Sequence, residues 1–111
     1  MTLFERQVQF TKMLPQLLSK AFSLGYDVTL GDAYRDPRVF GVVGESKGYG
    51  LPSSGHKSRL AIDLNLFKNG TYLQTTEDHK MLGEFWESIG GSWGGRFNDA
   101  NHYSLEFNGI K

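Results

Sequence analysis

The chain has 111 residues, enough for one hydrophobic core and too few for a second, so a single domain spanning 1–111 is expected. Lysine plus arginine equals aspartate plus glutamate at twelve each, which argues against nucleic-acid or anionic-membrane partners that rely on a basic field. With no cysteine there is neither a disulfide framework nor a thiolate ligand, so any metal must be held by histidine and carboxylate.

The opening MTLFERQVQFTKM carries charge too early for a secretory leader, and no apolar run approaches the ~18 residues of a membrane span. The expectation is a product made in the cytoplasm without a signal peptide or membrane anchor. Over residues 5–24, Val8, Met13, Leu14, Leu17, Leu18, Ala21 and Phe22 recur at helical spacing and Gly25 follows as a cap. Pro15 is expected to kink this helix or begin a second segment. Residues 27–34 alternate as a strand with Val28 and Leu30 on one side. Asp36 and Pro37 then open a short helix over 38–43. Residues 45–57 hold three glycines, a proline and three serines and read as a long functional loop.

A second strand is predicted over 60–67, turned back by Lys68-Asn69-Gly70 into an antiparallel return at 71–73. A capped helix begins at Thr75 or Thr76, presents Met81, Leu82, Phe85, Trp86 and Ile89 to the core, and stops at Gly90 and Gly91. His79 on this helix reads as a solvated surface histidine. Residues 92–93 and 103–107 are the remaining strand candidates; Trp93 and Tyr103 suit either the core or a cleft wall.

Within the strand at 60–67, Leu60, Ile62, Leu64 and Leu66 share one face, while Asp63 shares the other with Ala61 and Asn65. His56 lies in the loop leading into that strand. His102 precedes the last strand, three residues after Asp99. Two imidazoles and a carboxylate form a plausible open zinc site, with a fourth position for water and a neighbouring carboxylate as general base. Asp99 is the first candidate for that base and Glu106 the second. The same residues admit plainer readings: a solvated loop histidine at 56, a sheet-edge acid at 63, a turn histidine at 102 and an Asx turn at Asp99.

These motifs resemble the zinc peptidases of peptidoglycan stem peptides, namely D-alanyl-D-alanine carboxypeptidases and dipeptidases and the L-alanyl-D-glutamate endopeptidases used as phage endolysins. The first family motif, S-x-H-x-x-G-x-A-x-D, is met by Ser54, His56, Ala61 and Asp63. The second, an acid, two residues, then histidine, is met by Asp99 and His102 after a Trp-Gly-Gly at 93–95, and Ala33-Tyr34-Arg35 matches a further position. The resemblance implies zinc ligands at His56, Asp63 and His102, a catalytic base at Asp99, a substrate-positioning cation at Arg35, and a substrate or loop contact at Ser54. One departure is Arg59 in place of the motif glycine, where the backbone either avoids positive φ or carries strain. Arg59 could also reach the cleft and alter substrate choice, and Tyr49 and Leu51 could form a lip over it.

The expected architecture is α+β: two main helices on one face of a small, mostly antiparallel sheet, with zinc on the other. The expected activity is that of a monomeric endolysin-type endopeptidase acting on the bacterial wall after release by another protein. Its alternatives are a carboxypeptidase and a noncatalytic zinc-binding recognition domain.

Overall fold

Thr2 accepts the backbone hydrogen of Glu5 while the Glu5 carboxylate accepts that of Thr2, a capping box that starts helix α1, Leu3–Ser23. The computed structural model describes residues 1–45 and 54–111. Helix α1 passes through Pro15 undivided, so the expected second segment does not form. Pro15 lies on the exposed side, while Phe10, Met13, Leu17 and Ala21 form the buried stripe. Burial of Phe10, Met13 and Leu17 at about 1.5–3 kcal/mol each outweighs the roughly 3 kcal/mol of an internal proline. Phe22 is exposed, contrary to expectation; the inward stripe passes through Phe10 and Ala21 instead.

Strand β1, Asp27–Leu30, is shorter than its alternation suggested, and Leu30 is exposed. Asp36 caps the short helix α2, Pro37–Phe40, by accepting the Arg38 amide at 2.8 Å. Ser54 opens a 3₁₀ turn at Gly55–Ser58, within what reads in sequence as loop. Strand β2, Ala61–Lys68, then turns at Asn69 and Gly70, both with positive φ, into β3, Thr71–Leu73. Helix α3, Thr76–Ser88, starts with a second capping box between Thr75 and Asp78. Strand β4, Ser92–Trp93, a 3₁₀ turn at Gly94–Phe97, and β5, His102–Ser104, complete the order.

All strand pairs are antiparallel, and β2 is central. Leu66 pairs with both Val28 and Leu73, so β1 and β3 lie on opposite edges of β2. At Asp63 the backbone bonds Gly31 and Asp32 on the β1 edge, while His102 of β5 is its partner across the other. Thus β3 and β5 share one edge.

Leu60, Ile62, Leu64 and Leu66 pack with Tyr103, Trp93 and the inward stripes of α1 and α3 in one core. The Phe10 and Trp86 rings meet edge to face at 6.0 Å, and the Trp86 indole donates to the Ser104 carbonyl at 2.8 Å. The helices therefore cover one sheet face and leave the face of Asp63 for other use. Two helix positions differ from expectation. Met81 is exposed, and His79 is buried with Nδ1 2.7 Å from the Tyr103 hydroxyl. His79, Leu82 and Trp86 sit at the i, i+3, i+7 spacing of the inward stripe, which carries the imidazole into the core.

Candidate metal centre

Register creates the first half of the site. Asp63 and His102 are direct cross-strand partners, and Leu64 donates to the Asn101 carbonyl at 2.9 Å just beyond them. They therefore occupy a non-hydrogen-bonded pair, the arrangement that brings antiparallel side chains closest. Their common face is the one opposite the hydrophobic core. Gly31, bonded to Asp63 along the β1 edge, keeps this spot open: a β-carbon there would lie 3.0 Å from that of Asp63.

His56 arrives from the 3₁₀ turn. The Ser54 hydroxyl accepts its backbone amide at 3.2 Å, and the turn ends at Arg59 in the left-handed region, φ 58° and ψ 34°. The chain thus tolerates positive φ at the position where the family motif has glycine. The Arg59 guanidinium lies 4.1 Å over the Tyr34 ring rather than among the candidate ligands. His56 Nδ1 donates to the Ala33 carbonyl at 2.7 Å, since a carbonyl can only accept. In the neutral ring this leaves the Nε2 lone pair facing the centre, the role a supporting hydrogen bond plays at a metal-binding histidine.

His56 Nε2 lies 3.0 Å from Asp63 Oδ1 and 3.2 Å from His102 Nδ1, which is itself 3.6 Å from Asp63 Oδ1. Ligand atoms from all three lie within 4.8 Å of one another. Without an ion and with the imidazoles protonated, burial pushes the Asp63 carboxyl up, but hydrogen bonds from His102 and His56 and their charge outweigh it and hold its pKa at about 2. Two imidazole nitrogens at 3.2 Å beside an ionised carboxylate suit a shared divalent cation, so this donor set fits zinc. His102 Nε2 is buried without a hydrogen-bond partner among the described residues.

Asp99 stands at the solvent side, with Oδ2 3.7 Å from His102 Nδ1 and its side chain 47% exposed. The Trp93 indole donates to the Ala100 carbonyl at 2.7 Å and anchors this loop from the core. Arg35 lies on the other flank. Its Nε donates to Asp32 Oδ2 at 3.2 Å, one terminal nitrogen donates to Ser54 Oγ at 3.3 Å, and its amide donates to the His56 carbonyl. Glu106, the second candidate base, is not in the cluster; its carboxylate accepts the Gly109 amide. Tyr49 and Leu51 lie outside the described residues.

Several supports of the site do not stand out in the sequence. Gly94 is one: a β-carbon there would fall 2.1 Å from the Asp99 carbonyl oxygen and 2.7 Å from His102 Cβ. The Trp-Gly-Gly at 93–95 was its signal. Asp32 and the Ala33 carbonyl had none. Lys57 is buried and its ammonium donates to the Val42 and Glu45 carbonyls, tying the preceding segment to the turn that carries His56.

A family model described as D-alanyl-D-alanine carboxypeptidase matches residues 48–105, just over half of the chain and the stretch that contains His56, Asp63, Asp99 and His102. No curated protein matches the chain.

Proposed function

This chain belongs to the D-alanyl-D-alanine carboxypeptidase family, and from that premise we propose that it is a zinc-dependent peptidase cutting the L-alanyl-D-glutamate bond of peptidoglycan stem peptides, as endolysins do. The observation that carries the reading is the convergence of His56, Asp63 and His102 within 4.8 Å, with the Asp99 carboxylate beside them.

His56 Nε2, Asp63 and His102 Nδ1 would hold zinc. When bound, the ion would supply Lewis acidity toward a peptide carbonyl and toward water. Asp99, with solvent on one side and the cluster on the other, accepts the proton lost by attacking water and returns it to the departing amine nitrogen. Arg35 orients the substrate by donating to a carboxylate or carbonyl, a task suited to the planar guanidinium. Ser54 fixes both the His56 amide and the Arg35 side chain, so it couples the candidate ligand to the candidate substrate cation.

The family description supports a second reading, release of terminal D-alanine. That reaction needs a cation dedicated to a chain terminus, whereas Arg35, its charge shared with Asp32 at 3.2 Å, suits the lesser task of orienting a side-chain carboxylate or a carbonyl within a longer stem peptide. This favours the internal bond. Mass spectrometry of muropeptides digested by zinc-loaded protein separates the two. New amino termini at D-glutamate support the endopeptidase and free D-alanine supports the carboxypeptidase. Intact substrate, in wild type as in His56→Ala, would leave only a metal-binding recognition domain.

A further inference from the structure

Asp99 also borders a space whose lining includes none of the three candidate ligands. A cavity of about 250 Å³ opens there, bounded by Tyr72 and Gln74 at the end of β3 and by Asn98, Asp99 and Asn101 before β5. Because β3 and β5 share an edge of β2, this cavity and Arg35 lie on opposite flanks of Asp63. Its size is below the ~300–1,000 Å³ of pockets that enclose a whole drug-sized ligand, so it suits one portion of a longer substrate.

Its chemistry is specific. The side chains of Gln74, Asn98 and Asn101 make no hydrogen bond to any other described residue, so three residues of the lining carry carboxamides with unclaimed donors and acceptors. The titratable groups in the lining are Asp99, His79 and the Tyr72 phenol, and the His79 imidazole is buried against Tyr103. Among the described lining residues, an anionic group entering the cavity would meet the Asp99 carboxylate and no cation. The Tyr72 ring, 45% exposed, is held flat by stacking on Phe67 at 5.0 Å and by its hydroxyl bond to Asn65 at 3.2 Å. The cavity therefore combines a fixed aromatic face with uncharged hydrogen-bonding groups, while the opposite flank carries the cation.

We infer that this cavity binds the uncharged, N-acetylated sugar at the amino end of the stem peptide, so that the substrate lies with its saccharide beyond Asp99 and its acidic residues toward Arg35. The inference rests on the peptidase reading above and adds a direction to it. A sugar supplies hydroxyls and an acetamido group for the three carboxamides and a pyranose face for Tyr72. An L-alanyl-D-glutamate bond is the stem-peptide bond close enough to the sugar for one site to engage both.

The test compares N-acetylmuramoyl-L-alanyl-D-isoglutamine with L-alanyl-D-isoglutamine, using the zinc-loaded full chain. Wild type is expected to prefer the sugar-bearing substrate by about tenfold or more in kcat/KM, as two or three neutral hydrogen bonds would give. Tyr72→Ala and Asn101→Ala should each bring that ratio toward one. Equal rates on both substrates, or variants that leave the ratio unchanged, overturn the inference while leaving the peptidase reading in place. If neither substrate is cleaved, the peptidase reading fails separately, and binding still decides the cavity. Side-chain amide NMR signals of Gln74, Asn98 and Asn101 should shift on titration with the muramoyl compound and stay still with the bare dipeptide. Motionless signals with the muramoyl compound overturn the sugar site.

Discussion

Arg59 holds a left-handed conformation that costs a non-glycine residue roughly 1–2 kcal/mol, and its guanidinium recovers about 0.5–1 kcal/mol over Tyr34. Glycine relieves the backbone but loses that contact and adds freedom to the unfolded chain. Arg59→Gly should therefore change stability by less than about 1 kcal/mol, whereas Arg59→Val, β-branched at positive φ, should lose about 1–3 kcal/mol. Urea midpoints of the two variants check this; a costly glycine would show that the guanidinium, not the turn, matters. Gly94 gives a sharper expectation. The added methyl of Gly94→Ala meets the Asp99 carbonyl and His102 Cβ, both parts of the site's own framework. Overpacking of this kind costs about 1–3 kcal/mol, and here relief requires moving a candidate ligand. Zinc affinity measured by competition with a chelating dye should fall at least about tenfold, in line with the sensitivity of metal sites to their supporting residues. Unchanged affinity would mean that the loop shifts without disturbing His102.

Helix α3 meets the sheet through two polar bonds inside an apolar contact, His79 to the Tyr103 hydroxyl and Trp86 to the Ser104 carbonyl. Burial lowers the His79 pKa below its usual value, against the raising effects of a Leu73 backbone hydrogen bond and of Asp78. The folded state thus binds fewer protons at His79 than the unfolded chain. Its stabilising share is complete above the unfolded value near 6.5 and is lost as pH falls through the depressed folded one. Denaturant midpoints measured from pH 7.5 to 5 should fall more steeply for wild type than for His79→Gln. The comparison holds the candidate metal-site histidines common to both proteins, and parallel curves would place the acid sensitivity elsewhere. At this scale the sequence was informative where a pattern is local. Period-two alternation separated Asp63 from the core, Asn69-Gly70 marked the hairpin, and Thr75 with Asp78 marked a helix start. Burial of His79 was not legible, because a polar residue on an amphipathic helix reads as solvated until its partner, 24 residues away, is known. Pro15 misled for a related reason: the stripe that overrides it gains its energy from strands and a helix far along the chain.

The whole molecule separates the work of its two sheet faces. One face carries the core that joins α1 and α3 to the strands, and the other carries His56, Asp63 and His102. The α+β class was legible because each element announced its own period. The meeting of a turn histidine with one 46 residues later was legible only through the paired motifs, since strand register is set by contacts no local window contains. Separate faces also decide what an ion can do for stability. Small metal-dependent domains unfold without their ion because they lack a core, whereas Leu17, Leu64, Leu66, Leu82 and Trp86 are fully buried here away from the candidate ligands. Metal should act as a ligand of a folded protein and stabilise by RT ln(1 + [L]/Kd), about 2.7 kcal/mol at a hundredfold excess over Kd. For a domain of this size that corresponds to a Tm shift on the order of 10 °C. Adding a strong chelator should lower Tm by that order and abolish peptidase activity, while far-UV circular dichroism at 25 °C stays that of a folded α+β chain. Zinc added back should restore both. A chain that unfolds on chelation would show that the core cannot stand alone, and a Tm indifferent to added zinc would mean that the three side chains bind no such ion.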